Sequence, residues 1–126
     1  MLELNRGPIL IVEDDFETRY MLATCLETAG FRVLTAANGR EALMTIQRDI
    51  PSVLLVDLMM PVMDGVEFRR VQRRRRGTAG IPFVIFTGAA NGAEVAAQVG
   101  ADGFLEKPVD TEQLLSLMKR LLAGSP

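Results

Sequence analysis

The sequence predicts an α/β domain, a doubly wound five-stranded parallel sheet with five helices in a three-layer sandwich. Three observations carry this reading. The runs Ile9–Val12, Val53–Val56 and Phe83–Phe86 are apolar without alternation and are bounded by turn residues, the pattern of strands buried on both faces. Between and after them, apolar residues recur at helical spacing. Strand and helix alternate five times with no repeat and no linker, which implies parallel strands joined by right-handed crossovers.

Taken in order, Ile9–Val12 ends on three carboxylates, Glu13, Asp14 and Asp15. Met21, Leu22, Cys25, Leu26 and Ala29 then mark one face of a helix, with Asp15 as its N-cap and Gly30 as its C-cap. Cys25 on that face reads as a small buried hydrophobe rather than a reactive thiol. Arg32–Thr35 is a shorter strand. A helix from Gly39 to Arg48 follows, with Ala42, Leu43 and Ile46 on one face and Asn38 with Glu41 as a capping box. Pro51 breaks the chain before Val53–Val56, which stops at Asp57. After the turn Met59–Gly65, a third helix turns Val66, Phe68 and Val71 inward and ends in the basic run Arg73–Arg76, closed by Gly77. Phe83–Phe86 ends at Thr87 and Gly88. An Ala-rich helix covers Ala93 to Val99, and Phe104–Leu105 forms a short fifth strand ahead of Glu106, Lys107 and Pro108. Leu114, Leu115, Met118, Leu121 and Leu122 give the last helix its inner face, and Asp110 with Gln113 its capping signal.

A chain of 126 residues suits one domain, with a core over about residues 8–123. Apolar content of 48% and charged content of 24% place it among globular rather than disordered chains. A net charge of −2 gives no reason to expect nucleic-acid or membrane binding. A single cysteine allows no internal disulfide and fits a reducing, cytoplasmic setting. Met1–Gly7 lacks the basic-then-apolar layout of a secretory signal, and no apolar run reaches the length of a membrane span. The absence of histidine removes His-based zinc sites and Ser-His triads.

In a parallel sheet the C-terminal strand ends share one edge. That edge gathers Glu13 and Asp14 from the first strand, Asp57 from the third, Thr87 from the fourth and Lys107 just beyond the fifth. Each has an ordinary explanation alone: Asp57 as a turn cap, Asp14 as a loop acid, Thr87 as a turn residue, Lys107 as a solvated lysine. Together they form a chemical set. Three close carboxylates raise one another's pKa values unless a cation compensates. Ligation by oxygen alone suits a hard ion, Mg²⁺ or Mn²⁺. With a lysine and a hydroxyl added, the set fits phosphoryl transfer to a nucleophilic aspartate.

The residues Ile9–Asp15, Val56–Gly65, Phe86–Gly88 and Glu106–Pro108 together resemble the receiver domain of two-component response regulators, chemotaxis receivers among them. The resemblance covers nearly the whole chain. It implies the flavodoxin-like strand order 2-1-3-4-5, in which the site lies where the winding reverses. It implies that Asp57 accepts a phosphoryl group from a sensor histidine kinase or histidine phosphotransfer protein. Asp14, Asp57 and the Met59 backbone carbonyl would hold Mg²⁺, with Glu13 in its outer shell. Thr87 and Lys107 would contact the phosphoryl group, and Phe104 would be the aromatic switch. The activity implied is a switch that controls a downstream protein, not a turnover enzyme. The exposed face of the last two helices is the candidate homodimer surface.

Three features depart from the family's commonest pattern. Phe104 stands where Tyr is frequent, so a phenol hydrogen bond is missing. The segment from Thr87 to Lys107 is shorter than in many receivers, which predicts a stunted fourth helix. Met59 places an apolar side chain two residues after Asp57, where it affects access of hydrolytic water. The small residues of Gly88–Gly92 suit a moving loop or are only loop composition. No output domain follows the last helix, which suits either a stand-alone receiver or a piece of a longer protein.

Other readings fare worse. A phosphatase of the haloacid dehalogenase type needs an acid where Met59 stands. A flavodoxin needs backbone phosphate donors where Glu13–Asp15 would repel the ligand. A pseudo-receiver serving only as a docking module does not need the acidic set and Lys107. The arginines Arg69, Arg70 and Arg73–Arg76 read either as a solvated helix end favoured by the dipole or as a site for nucleic acid or an acidic partner. Either way they lie at the end of the domain opposite Asp57.

Overall fold

The computed structural model describes residues 7–123. The reading of the chain's start through Arg6, and of its tail from Gly124, falls outside them. Ten elements alternate: β1 (Ile9–Val12), α1 (Phe16–Thr28), β2 (Val33–Ala36), α2 (Gly39–Arg48), β3 (Val53–Asp57), α3 (Gly65–Arg74), β4 (Phe83–Thr87), α4 (Gly92–Gln98), β5 (Gly103–Glu106) and α5 (Thr111–Ala123). All strand pairs are parallel, in the order β2-β1-β3-β4-β5. The winding therefore reverses at β1, and a crevice opens between the ends of β1 and β3.

Side-chain alternation along the strands divides the interior into two cores. Leu10, Val12, Leu54, Val56, Phe83 and Ile85 face α2, α3 and α4. Ile9, Ile11, Val53, Leu55, Val84 and Phe86 face α1 and α5. Both faces of the three central strands are covered, which is why their sequences carry no polar alternation.

The caps follow the chemistry expected of them. Asp15 Oδ2 accepts from the Thr18 amide and hydroxyl at the start of α1. Asn38 Oδ1 accepts from the Glu41 amide at 3.0 Å, while Glu41 reaches back to the Ala37 amide at 2.8 Å. Asp110 Oδ1 accepts from the Glu112 and Gln113 amides ahead of α5. At the end of α1 the capping residue is Ala29, not Gly30. Gly30 follows it at φ 100°, and the amides of Gly30 and Phe31 return to the carbonyls of Glu27 and Leu26. Only the residue after the cap needs the left-handed conformation, which is why the glycine sits one place later. Replacing Asn38 with Ala is expected to destabilise the domain by about 1 kcal/mol, read as a lower urea midpoint at unchanged slope.

Several inner faces differ from the sequence reading. In α1 only Leu22 and Leu26 are buried, Cys25 is half-buried, and Met21 and Ala29 are exposed. Ala23 and Cys25, both half-buried, pack beside Leu22 and Leu26 against the same core, while Met21 and Ala29 fall outside that stripe. In α5, Leu117 is buried while Leu115 and Leu121 are half-buried. In α3 the buried residues are Gly65, Phe68, Arg69 and Gln72, with Val66 and Val71 only half-buried. Arg69 is 7% exposed. Its Nε donates to Val99 O at 2.9 Å, Nη2 to Gly100 O at 2.7 Å and Nη1 to Gln72 Oε1 at 2.8 Å. Its guanidinium carbon lies 4.6 Å from the centre of the Phe83 ring. A buried arginine is tolerated when its donors are satisfied and its planar head stacks on an aromatic face. Arg69 thus leaves the solvated arginine run and ties α3 to the C-terminal end of α4.

β2 begins one residue later than read, and α4 runs Gly92–Gln98 rather than Ala93–Val99. β3 and β4 each extend to include Asp57 and Thr87, and β5 extends one residue beyond Phe104–Leu105 at each end. Among the described residues no helix is long and apolar enough to cross a membrane.

Candidate functional site

Register brings the strand ends to one edge. Val12 pairs with Val56, Asp57 with Phe86 and Thr87 with Glu106. Glu13 and Asp14 follow β1 directly, Asp57 closes β3, and Lys107 follows β5. Glu13, Asp14 and Asp57 each present a carboxylate oxygen, and the three atoms lie within 4.8 Å of one another. Glu13 and Asp57 are buried and Asp14 is exposed, so the cluster opens to solvent on the Asp14 side.

Lys107 Nζ joins the two buried acids, 3.0 Å from Glu13 Oε1 and 3.3 Å from Asp57 Oδ2. It also lies 5.3 Å from the centre of the Phe86 ring. Burial pushes the Glu13 carboxyl above its ordinary value, against hydrogen bonds from the Asp15 amide and Lys107, and the charge of Asp57 adds to the rise. Burial pulls Lys107 down, but its hydrogen bond to Glu13 and the charges of Asp57 and Glu13 outweigh this and raise it. Lys107 therefore stays charged at neutral pH and partly neutralises the cluster.

The second oxygen of each buried acid is held by backbone. Glu13 Oε2 accepts from the Asp15 amide at 2.9 Å, and Asp57 Oδ1 accepts from the Met59 amide at 3.3 Å. The Met59 side chain points outward, 66% exposed. Arg19 Nη1 donates to the Glu13 carbonyl at 2.7 Å and fixes the loop after β1. Sequence reading missed Arg19. A lone basic residue in the first turns of a helix carries no motif, and only the fold shows that it reaches back over the loop.

Thr87 is buried, and its hydroxyl accepts from the Ala89 amide at 3.1 Å. Its methyl faces the start of α4. A Cβ on Gly92 would lie 2.5 Å from Thr87 Cγ2 and 3.0 Å from Phe104 Cε1. Thr87, Gly92 and Phe104 thus form one packed unit beside the acidic cluster. Gly92→Ala is expected to destabilise the domain by about 1–3 kcal/mol through overpacking and to shift the Thr87 methyl resonance. Urea unfolding with methyl spectra checks both.

Residues 9–119 match the model of the response regulator receiver domain. The chain belongs to this family. This receiver is 40% identical over 117 residues to the response regulator MprA of Mycobacterium tuberculosis, covering 90% of this chain and 50% of MprA. It is similar to the chemotaxis protein CheY4 of Vibrio cholerae, with a TM-score of 0.84, 35% identity, and 92% of this chain and 98% of CheY4 covered. It is also similar to the receiver domain of sensor histidine kinase PA1611 from Pseudomonas aeruginosa, with TM-score 0.86 and 26% identity. That match covers 94% of this receiver and 99% of the other chain, whose structure holds a magnesium ion coordinated in the active site cleft. The chain spans about half the length of several curated relatives it matches, MprA among them.

The acidic cluster suits a hard divalent cation. Its donors are all oxygens, two are fixed by backbone amides, and the exposed third leaves an entry path.

Proposed function

We propose that this receiver is a phosphorylation switch in which Asp57 accepts a phosphoryl group from a sensor histidine kinase or a histidine phosphotransfer protein. The observation that supports it best is the placement of Lys107 between Glu13 and Asp57, with Asp14 completing a triad of carboxylates at the open end of the sheet. Asp14, Asp57, the Met59 carbonyl and, through water, Glu13 would hold Mg²⁺ or Mn²⁺. The metal, when bound, neutralises charge on the transferring phosphoryl group.

The chain's own groups do the rest. A carboxylate oxygen of Asp57 attacks phosphorus, and the bond from phosphorus to the donor's histidine nitrogen breaks. That nitrogen keeps the electron pair and the imidazole is left neutral once protonation is rebalanced by solvent. The product is an acyl phosphate on Asp57. Lys107, already within 3.3 Å of Asp57, is placed to follow the charge onto a phosphoryl oxygen. The local charge goes from one negative unit to about two. The Thr87 hydroxyl exchanges its bond with the Ala89 amide for a phosphoryl oxygen, and Phe104 moves into the space released. Such a switch works between two states separated by a few kcal/mol, so one new charge-assisted hydrogen bond is enough to bias it. The exposed Met59, two residues after Asp57, affects entry of hydrolytic water.

In this reading the chain acts in the cytoplasm as a single receiver unit with its core over about residues 8–123, passes its state to a downstream protein, and is not a turnover enzyme. The test is intact mass after incubation with acetyl phosphate and Mg²⁺. One added phosphoryl group, labile to hydroxylamine and prevented by EDTA, is expected. No adduct from acetyl phosphate or from a broad panel of histidine kinases would overturn the reading.

A further inference from the structure

The short α4 leaves an open groove between α3 and α4. Near the phosphoryl site the groove is a cavity of about 550 Å³ with Met59, Met60, Pro61, Ala89 and Val95 in its walls. Toward the other end it continues as a cavity of about 320 Å³ bordered by Val99, Arg70, Arg73 and Arg74. Val66 borders both, so the two hollows adjoin along α3 and together make up the trough. Its upper half is mainly apolar, with the polar side chains of Asp64 and Asn91 also in its walls, and its lower half is basic beside Val66 and Val99. Among the described residues Arg70 and Arg73–Arg76 are exposed and none forms an ion pair.

We propose that this trough docks an amphipathic α-helix of a partner protein, apolar where it meets Met59 and Met60 and acidic where it meets the arginines. A trough between two helices accepts a third helix of matching polarity. The ten residues of α3 give it a length of about 15 Å, or roughly three turns of a docked helix. The cationic groups are all arginine, whose planar forks pair with carboxylates in two-point geometry.

Charge distribution argues for an acidic helix over a nucleic acid. Six of the fourteen basic residues lie between positions 69 and 76, and the chain as a whole carries sixteen acids. A long polyanion reaching beyond the trough would meet negative surface, whereas a short acidic segment would not. The trough also offers no aromatic platform for bases.

The upper wall is made by the loops that follow Asp57 and Thr87. Docking and phosphorylation would therefore be coupled, a point that rests on the switch reading, while docking itself does not. The test uses ¹⁵N-labelled protein without phosphate. The probe is a panel of helix-stabilised synthetic peptides about three turns long, with Leu and Met on one face at one end and Glu on that face at the other, in both orientations. Scrambled peptides of the same composition are the control.

Saturable shifts centred on Val66, Val95 and Val99 are expected for at least one patterned peptide and for no scrambled one. Val66→Asp should abolish them. Arg70→Glu, Arg73→Glu and Arg74→Glu together should weaken binding about tenfold or more. Both variants should take up phosphoryl groups from acetyl phosphate as the wild type does, which shows them folded. No patterned peptide binding to protein that phosphorylates normally overturns the proposal. So does equal binding of scrambled peptides, self-association of the chain through the trough, or binding of duplex DNA or anionic vesicles that Arg reversal removes and Val66→Asp leaves intact. Peptide docking by wild-type protein that never takes up phosphate would instead sink the switch reading and leave the trough standing.

Discussion

Asn in place of Asp57 is expected to remove the phosphoryl adduct completely: intact mass after acetyl phosphate and Mg²⁺ shows only unmodified protein. The three acids of the cluster are not equivalent as nucleophiles. Glu13 has both oxygens engaged, one by the Asp15 amide at 2.9 Å and one by Lys107 at 3.0 Å. Asp14 is exposed to solvent, free to ligate, and among the described residues no backbone amide orients its carboxylate as in Glu13 and Asp57. Asp57 is 3% exposed, and its contacts are the longer ones, 3.3 Å to the Met59 amide and 3.3 Å to Lys107. It is oriented by two donors and gripped tightly by neither. Asn keeps the volume and an oxygen for the amide while removing the charge, so the fold should survive. Losing one of two buried like charges also relieves repulsion on Glu13, so the urea midpoint in EDTA should stay level or rise. An adduct that persists on the Asn variant and maps to Asp14 would reassign the acceptor.

Much of this arrangement was legible in the sequence because strands announce their ends. Apolar runs that stop abruptly at Glu13, Asp57 and Thr87 place those residues at one sheet edge once the strands are parallel. The capping pairs at Asp15, Asn38 and Asp110 were equally plain, since short polar side chains bond amides two or three residues on. What stayed hidden depends on contacts distant in sequence. Arg69 carries a charge, so a helical reading that counts only apolar residues turns it outward. Its burial requires carbonyls of Val99 and Gly100, which only the fold delivers. Leu117 and Leu115 are chemically alike, and the angle of α5 on the sheet decides which is buried. The edge on which Lys107 lies follows from strand order. Its bridge between Glu13 and Asp57 does not, because many lysine rotamers would reach solvent instead.

Two substitutions should move Mg²⁺ affinity in opposite directions. Asp14→Ala removes the exposed carboxylate and is expected to weaken Mg²⁺ binding by about 10- to 100-fold, measured by fluorescence or calorimetric titration. Lys107→Ala should tighten it, by roughly tenfold, because Lys107 occupies the cation's electrostatic role between Glu13 and Asp57 and competes for it. The same variant should lose the switch response while still forming an adduct, since Lys107 follows the phosphoryl charge rather than making the bond. Acidity gives an independent check on sign. The folded Glu13 carboxyl titrates above its ordinary 4.5, so its contribution to the stability of the metal-free protein is full below 4.5 and is lost as pH rises through the folded value. Lys107, raised above 10.5, contributes stability present below 10.5 and lost as pH rises through its folded value. Removing Lys107 takes away the charge that opposes the rise at Glu13. Glu13 should then titrate higher still, and the stability of the EDTA-treated variant should fall further with rising pH than that of the wild type and be restored by Mg²⁺. Unchanged Mg²⁺ affinity in Asp14→Ala, or weaker affinity in Lys107→Ala, would mean that the cation does not enter between these acids.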